Sequence, residues 1–224
     1  EIRHWHGGRI NDLAVTPDGR WLVSTHSENC DKNIVLHNLL TGADEVITES
    51  HAVTSLNLSR DGRYLLVNLQ SQEIHMWALG EQAEGGEGGG LDGKSVETEG
   101  RGGLNPPLLP QVKKVMVFQF SGPMEKQGRF VIRSCFGGSH ESFVVSGSED
   151  SQVYIWHGRY GELLETLPGH SGTVNSVNWN PTNPHMFASA SDDHTIRIWG
   201  LPQVAPSLPL PPPTSVKTED QSTE

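Results

Sequence analysis

Apolar residues along this chain come in short runs with every second position polar or small, and the runs are separated by turn-forming residues. A period of two over five or six residues is the mark of a strand, because successive side chains leave the backbone on opposite sides. The alternation predicts strands over 10–15, 20–25, 33–38 and 44–48, then over 53–58, 64–69, 73–78 and 115–120. It continues over 129–136, 142–147, 152–157 and 162–167, and ends with 174–179, 186–190 and 195–199. No segment has the 3.6-residue spacing that would require a helix. Thr16-Pro17-Asp18-Gly19 and Ser59-Arg60-Asp61-Gly62 both separate a first from a second run, and Asp-Gly suits the positive φ of a tight hairpin.

The runs repeat. Val174-Asn-Ser-Val-Asn-Trp179, Phe187-Ala-Ser-Ala-Ser191, Asp192-Asp193 and Thr195-Ile-Arg-Ile-Trp199 form the clearest unit, introduced by Gly169-His170. Aligned on the tryptophan, Phe143-Val-Val-Ser-Gly-Ser-Glu-Asp150 leads to Gln152-Val-Tyr-Ile-Trp156, and Leu65-Leu-Val-Asn-Leu leads to Glu73-Ile-His-Met-Trp77. Leu22-Val-Ser-Thr leads to Asn33-Ile-Val-Leu-His37, with His in place of Trp. Repetition at this period indicates a stack of similar sheets, and these units are identified as WD40 repeats of a β-propeller.

That resemblance implies a structural role for certain polar residues: His before the first strand, Ser on the second, Asp in the next turn and Trp on the third are expected to join in one hydrogen-bonded chain. The set is complete in the last unit as His170, Ser189, Asp193 and Trp199. The third unit retains Ser146, Asp150 and Trp156, and the second His51 and Trp77, with Val67 and Ser71 in the remaining places. The first retains His6, Ser27 and Asp31 beside His37.

Two segments do not fit the repeat. Residues 80–111 are rich in Gly, Glu and Pro, and should form a disordered insertion between the third and fourth strands of the second unit, because they bury too little to offset their ordering entropy. The tail 201–224 is acidic, with Pro209, Pro211, Pro212 and Pro213. This divides the chain into repeats at 1–79 and 112–200, with residues 1–5 as an edge strand.

The bulk composition adds exclusions. The formal charge is −11, without a basic cluster, which argues against nucleic acid as a partner. No apolar run reaches the ~18 residues of a membrane span. Cys30 and Cys135 form neither a metal-ligand pair nor a disulfide framework, and the eleven His follow the repeat period rather than any metal-ligand spacing. No cofactor is expected, and the compartment expected is cytoplasm or nucleus. Gly88-Gly-Gly-Leu-Asp-Gly93-Lys94-Ser95 spells a P-loop but has no strand before it or helix after it, and reads as linker. Val216-Lys217-Thr218-Glu219 has the form of a modifier-attachment motif centred on Lys217, and Trp156-His157-Gly158-Arg159 partly matches a receptor box. Exposed candidates for a binding surface are Arg129, His140, Tyr160 and Arg197.

A narrower resemblance rests on Phe130-Val-Ile-Arg-Ser-Cys-Phe-Gly-Gly138, with Gly161-Glu-Leu-Leu-Glu-Thr-Leu-Pro-Gly-His170 and Ala190-Ser-Asp-Asp-His-Thr-Ile-Arg-Ile-Trp-Gly200. These blocks resemble the WD40 subunit of the CTLH (GID) ubiquitin ligase, a group that includes plant WDS-type proteins. The resemblance implies a non-catalytic scaffold that meets other ligase subunits and degradation substrates. A signalling or chromatin scaffold is the alternative, and an enzyme would need carboxylates or metal ligands converging near the inner strands. Family propellers have about seven blades. The four repeats are therefore expected to be the carboxy-terminal arc of a larger ring, closed by upstream sequence of the same protein.

Overall fold

The computed structural model describes residues 10–26, 34–80, 111–120 and 130–201. They form four antiparallel sheets, each a meander in which consecutive strands pair with their neighbours. The first blade contains β1 (Ile10–Val15), β2 (Trp21–His26), β3 (Ile34–Asn38) and β4 (Asp44–Ile47). The second contains β5 (Val53–Leu58), β6 (Tyr64–Leu69), β7 (Glu73–Gly80) and β8 (Gln111–Gln119). The third contains β9 (Ser134–Gly137), β10 (Phe143–Gly147), β11 (Val153–His157) and β12 (Leu163–Leu167). The last has three strands, β13 (Val174–Trp179), β14 (Met186–Ser191) and β15 (Ile196–Gly200). The first strands lie side by side, β1 against β5, β5 against β9 and β9 against β13, so the blades fan out from a common inner edge.

Alternation explains how the blades hold together. On β6, Leu65, Val67 and Leu69 point into one core with Val23, Ile34, Leu36 and Ile47 of the first blade. Leu66, between them, points the other way, into a second core with Phe136, Val144, Tyr154 and Trp156 of the third blade. The third blade repeats the device, with Val144 facing back while Val145 faces Val174, Val177 and Phe187 of the last blade. A sheet buried on both faces reads as a run of apolar residues rather than strict alternation, as Tyr64–Leu69 does. At the two ends of the arc the outer faces have no neighbour among the described residues, leaving Leu13, Val15, Ile196 and Ile198 more than half exposed.

The strand limits depart from the sequence expectation in three places. Pairing of the third blade's first strand starts at Ser134, not 129, because the Arg133 N–H bonds to Asn175 O of the last blade and not to β10. Ser139–Glu141 forms a single 3-10 turn where no helix was expected. Gly80 and Gln111, the ends of the expected insertion, are paired strand residues, and 81–110 lies outside the described residues. The expected edge strand at 1–5 and all of the tail beyond Leu201 lie outside them as well. One shared irregularity supports the repeat: in the first, second and last blades the first strand is bulged at the same point, between Ile10 and Asp12, Val53 and Ser55, and Val174 and Ser176.

Candidate functional site

The last blade joins all four of its expected polar residues. His170 precedes β13, Ser189 lies on β14, Asp193 is in the following turn and Trp199 is on β15. His170 Nδ1 is 2.8 Å from Asp193 Oδ2 and its Nε2 2.7 Å from Ser189 Oγ, which also accepts the Trp199 indole N–H at 2.8 Å. Asp193 is held well below the ordinary carboxylate range, first by the Thr195 hydroxyl, then by the Ser171 N–H and His170.

The third blade does not form this chain, contrary to expectation. Ser146 donates to Gly147 O at 2.9 Å, Trp156 donates across to Gln119 O of the second blade at 3.2 Å, and Asp150 accepts from the Tyr154 hydroxyl at 2.6 Å. Tyr154 occupies the register position that Arg197 holds in the last blade, opposite the serine, and its phenol takes the Asp that a histidine would have taken. Burial first, and Asp150 second, push the phenol well above its usual range.

The second blade is a larger correction. His51 is exposed and lies 3.0 Å from the neighbouring Ser50 hydroxyl. Trp77 instead donates to Glu49 at 2.7 Å. Glu49 stands four positions before Val53, as His170 stands four before Val174, so the register assigns it the histidine's place. It also faces His75 Nδ1 at 2.8 Å and accepts from Lys114 at 2.9 Å, with the ammonium 5.1 Å from the Trp77 ring centre. Burial raises the carboxyl's pKa, but the His75, Lys114 and Trp77 bonds outweigh it and hold Glu49 below the ordinary range. Letter matching missed Glu49, His75 and Lys114; counting back from the strand start would have found the first. In the first blade His37 lies 3.3 Å from Ser24 Oγ and 2.7 Å from Asp44, while His6, Ser27 and Asp31 lie outside the described residues.

Ser-His-Asp order appears twice, but in neither case as a poised nucleophile. Ser189 is 1% and Ser24 4% exposed within their sheets, and the Ser189 hydroxyl is already engaged by Trp199. Among the described residues no group of three or more His, Cys, Asp or Glu could hold a metal. Lys217, the P-loop-like 88–95, Cys30 and Arg129 lie outside the described residues.

What reaches the surface is a face made by the turns between first and second strands. The Ser-Cys-Phe-Gly-Gly block ends there, and packing explains it. A Cβ on Gly137 would meet the Trp179 ring of the next blade at 2.0 Å, and one on Gly138, at φ 78°, would meet Phe143 at 2.3 Å. Cys135 beneath is buried, its thiol pushed up to about 11. The turn that follows holds His140 and Glu141 at positive φ, with the Glu141 carboxylate accepting the Arg60 N–H at 2.8 Å while the Arg60 guanidinium donates to Pro181 O at 2.8 Å. One arginine thus ties three blades together. Beside it His140 is exposed, and Tyr160, 62% exposed, packs on His157 under the Arg159 guanidinium.

Comparison with known proteins decides the family. The model of the WD domain, G-beta repeat, matches residues 2–38, 116–157 and 161–200, more than half of the chain. The chain belongs to the WD40 family. The second blade, where Glu49 replaces the histidine, contributes only its outer strand to these matches. The WD repeat-containing protein WDS homolog of Arabidopsis thaliana is 47% identical over 203 residues, covering 89% of this chain and 32% of that protein. GID complex subunit 7 of Schizosaccharomyces pombe is 36% identical over 200 residues, covering 87% and 33%. The crystal structure of RRP9 WD40 repeats superposes with a TM-score of 0.61 at 21% identity, over 90% of this chain and 51% of that one. The chain thus spans about a third of the length of these curated relatives. Its WD40 blades have the propeller's fold.

Proposed function

We propose that this WD40 chain is the interaction part of a subunit of a GID/CTLH-type ubiquitin ligase. In this reading it binds other ligase subunits and recruits proteins destined for degradation, and it carries out no chemistry itself. The observation that carries the reading is the similarity to GID complex subunit 7, which spans nearly all of this chain, together with the WDS homolog. Two features of the blades suit such a role. The Ser, His and Asp groups are engaged inside the sheets as braces, and the turn face is a rigid surface whose loops are tied across blades. Cytoplasm and nucleus are the proposed locations.

The test is affinity purification of the full-length tagged protein from its own cells, with mass spectrometry of what comes with it. Recovery of RING-bearing ligase subunits in stoichiometric amount is the expected result. Recovery of signalling or chromatin proteins without them would overturn the ligase reading in favour of an unrelated WD40 scaffold.

A further inference from the structure

The turn between β11 and β12 displays an aromatic residue that the turn does not need. It is closed by backbone: the His157 N–H donates to Glu162 O and the Gly161 N–H to His157 O, both at 2.8 Å, with Gly161 at φ 71°. The turn between β3 and β4 is closed in the same way, from Asn38 N–H to Ala43 O and from Gly42 N–H to Asn38 O, with Gly42 at φ 75°. There Leu40 and Thr41 stand where the third blade has Arg159 and Tyr160. Tyr160 is nevertheless held in place. Its ring lies 4.5 Å from the His157 ring and 5.8 Å from the Arg159 guanidinium, with 62% of the residue exposed. His157 in turn meets Phe143 edge-on at 6.5 Å, and Phe143 stacks 5.9 Å from Trp179 of the last blade. The three rings behind Tyr160 are half-buried, so a row of four rings reaches the surface across the boundary between the last two blades. At its outer end the Tyr160 hydroxyl and the Arg159 guanidinium make no hydrogen bond among the described residues.

At the inner end of the row the chain leaves the last sheet. The Trp179 indole N–H donates to Pro184 O at 3.1 Å, and the next residue, His185, has its carbonyl oxygen 3.2 Å from where a Cβ on Gly200 would be. Gly200 is the last residue of β15, so the sequence beyond Leu201 starts beside Trp179. That sequence contains Pro206-Ser-Leu-Pro-Leu-Pro-Pro-Pro213, with proline at 206, 209 and 212. A polyproline II helix has three residues per turn and no internal hydrogen bonds, so these three prolines share one edge and the carbonyls need outside donors. Rows of aromatic side chains recognise such segments, at low entropic cost because each proline already holds its φ. The helix would run roughly 19 Å from Pro206 to Pro212, enough to follow the row from Trp179 to Tyr160.

We propose that this row of rings is a polyproline-docking surface and that its occupant is the chain's own segment Pro206–Pro213. Pro206, Pro209 and Pro212 lie on the rings, and the Tyr160 hydroxyl and Arg159 guanidinium donate to the segment's carbonyls. The short tether at Leu201 gives the segment a local concentration of about millimolar, so it holds the surface against a free segment of equal affinity. The inference does not depend on the ligase assignment.

The test uses the full-length protein, a variant of it lacking residues 204–224, and a fluorescein-labelled peptide, Val-Ala-Pro-Ser-Leu-Pro-Leu-Pro-Pro-Pro-Thr, read by fluorescence anisotropy. The peptide should bind the tailless variant saturably, and the intact protein at least tenfold more weakly because the tail already fills the row. In the tailless variant Tyr160→Ala should weaken binding at least tenfold. Tyr160→Phe, which keeps the ring and drops the hydroxyl, should recover only part of the loss. The thermal midpoint should not move, since the first blade closes the same turn with Thr41 at this position. A peptide carrying Pro206→Ala, Pro209→Ala and Pro212→Ala should lose binding to the unaltered tailless protein. No saturable binding below millimolar peptide, or binding indifferent to Tyr160→Ala or to the proline replacements, would overturn the proposal. Equal affinity for intact and tailless protein would overturn it in favour of a partner's proline-rich segment. A dimer of the intact protein that dissociates when the tail is deleted would overturn it in favour of a second copy's tail.

Discussion

At the scale of single residues, the informative groups are those that carry polar contacts through a dry interior. Ser189 is 1% exposed and serves both His170 and Trp199. Ser189→Ala should leave the buried His170 nitrogen and the half-buried Trp199 indole N–H without their oxygen and destabilise the last blade by about 1–3 kcal/mol. Chemical denaturation of the full-length protein, monitored by tryptophan fluorescence, would contradict this if the variant matched wild type. Glu49 makes a pH-dependent prediction. Its pKa is lowered on folding from the ordinary 4.5, so its ionisation stabilises the native state above that value. The contribution is lost as pH falls through the folded pKa. Glu49→Gln should therefore lower stability by roughly 3 kcal/mol near neutrality, because it uncouples Lys114 and His75 from a buried partner. The gap to wild type should shrink as pH is taken below the ordinary carboxylate value. Denaturation midpoints measured at several pH values check this, and a gap that stayed constant would rule it out.

At the scale of the strand and turn, the sequence was most legible where one force acts alone. Period-two alternation located the fifteen strands of the described residues, and Asp-Gly located the tight turns at Gly19 and Gly62, because both signals are local. The polar braces were less legible, because each depends on register across two or three strands. His51 has the expected letter but lies two positions past the place that faces Trp77, which Glu49 fills. Tyr154 captures Asp150 from the strand opposite Ser146, a competition that no motif within one run could reveal. The start of β9 was likewise shifted by a partner in another blade, Asn175. The Gly-Gly of the third blade belongs to this scale as well. Gly137→Ala should place a methyl group inside the Trp179 ring and destabilise by about 1–3 kcal/mol or more, since a close-packed interface yields only by moving strands. A thermal midpoint indistinguishable from wild type would show that the blades can separate freely at that point.

At the scale of the whole arc, each buried apolar cluster is shared between two neighbouring blades. Each inner sheet is a partition between two cores, so that Leu65 and Leu66, adjacent in sequence, support different interfaces. On the turn face the same coupling is made by one exposed arginine. Arg60→Ala should cost the assembly only about 1 kcal/mol and loosen the Pro181 turn, while the Glu141 turn keeps its bond to the residue-60 backbone N–H. Hydrogen exchange unchanged at the Pro181 turn would show that the guanidinium does not hold the last blade there. The pairing of Gly80 with Gln111 has a consequence of a more practical kind. Since the ladder fixes these two residues as direct neighbours, whatever chain joins them begins and ends at one point, and its length puts no tension on the blade. The junction is therefore a natural graft point: a reporter domain whose own termini lie close together could replace the intervening residues there and report on the propeller from its rim without prising it open.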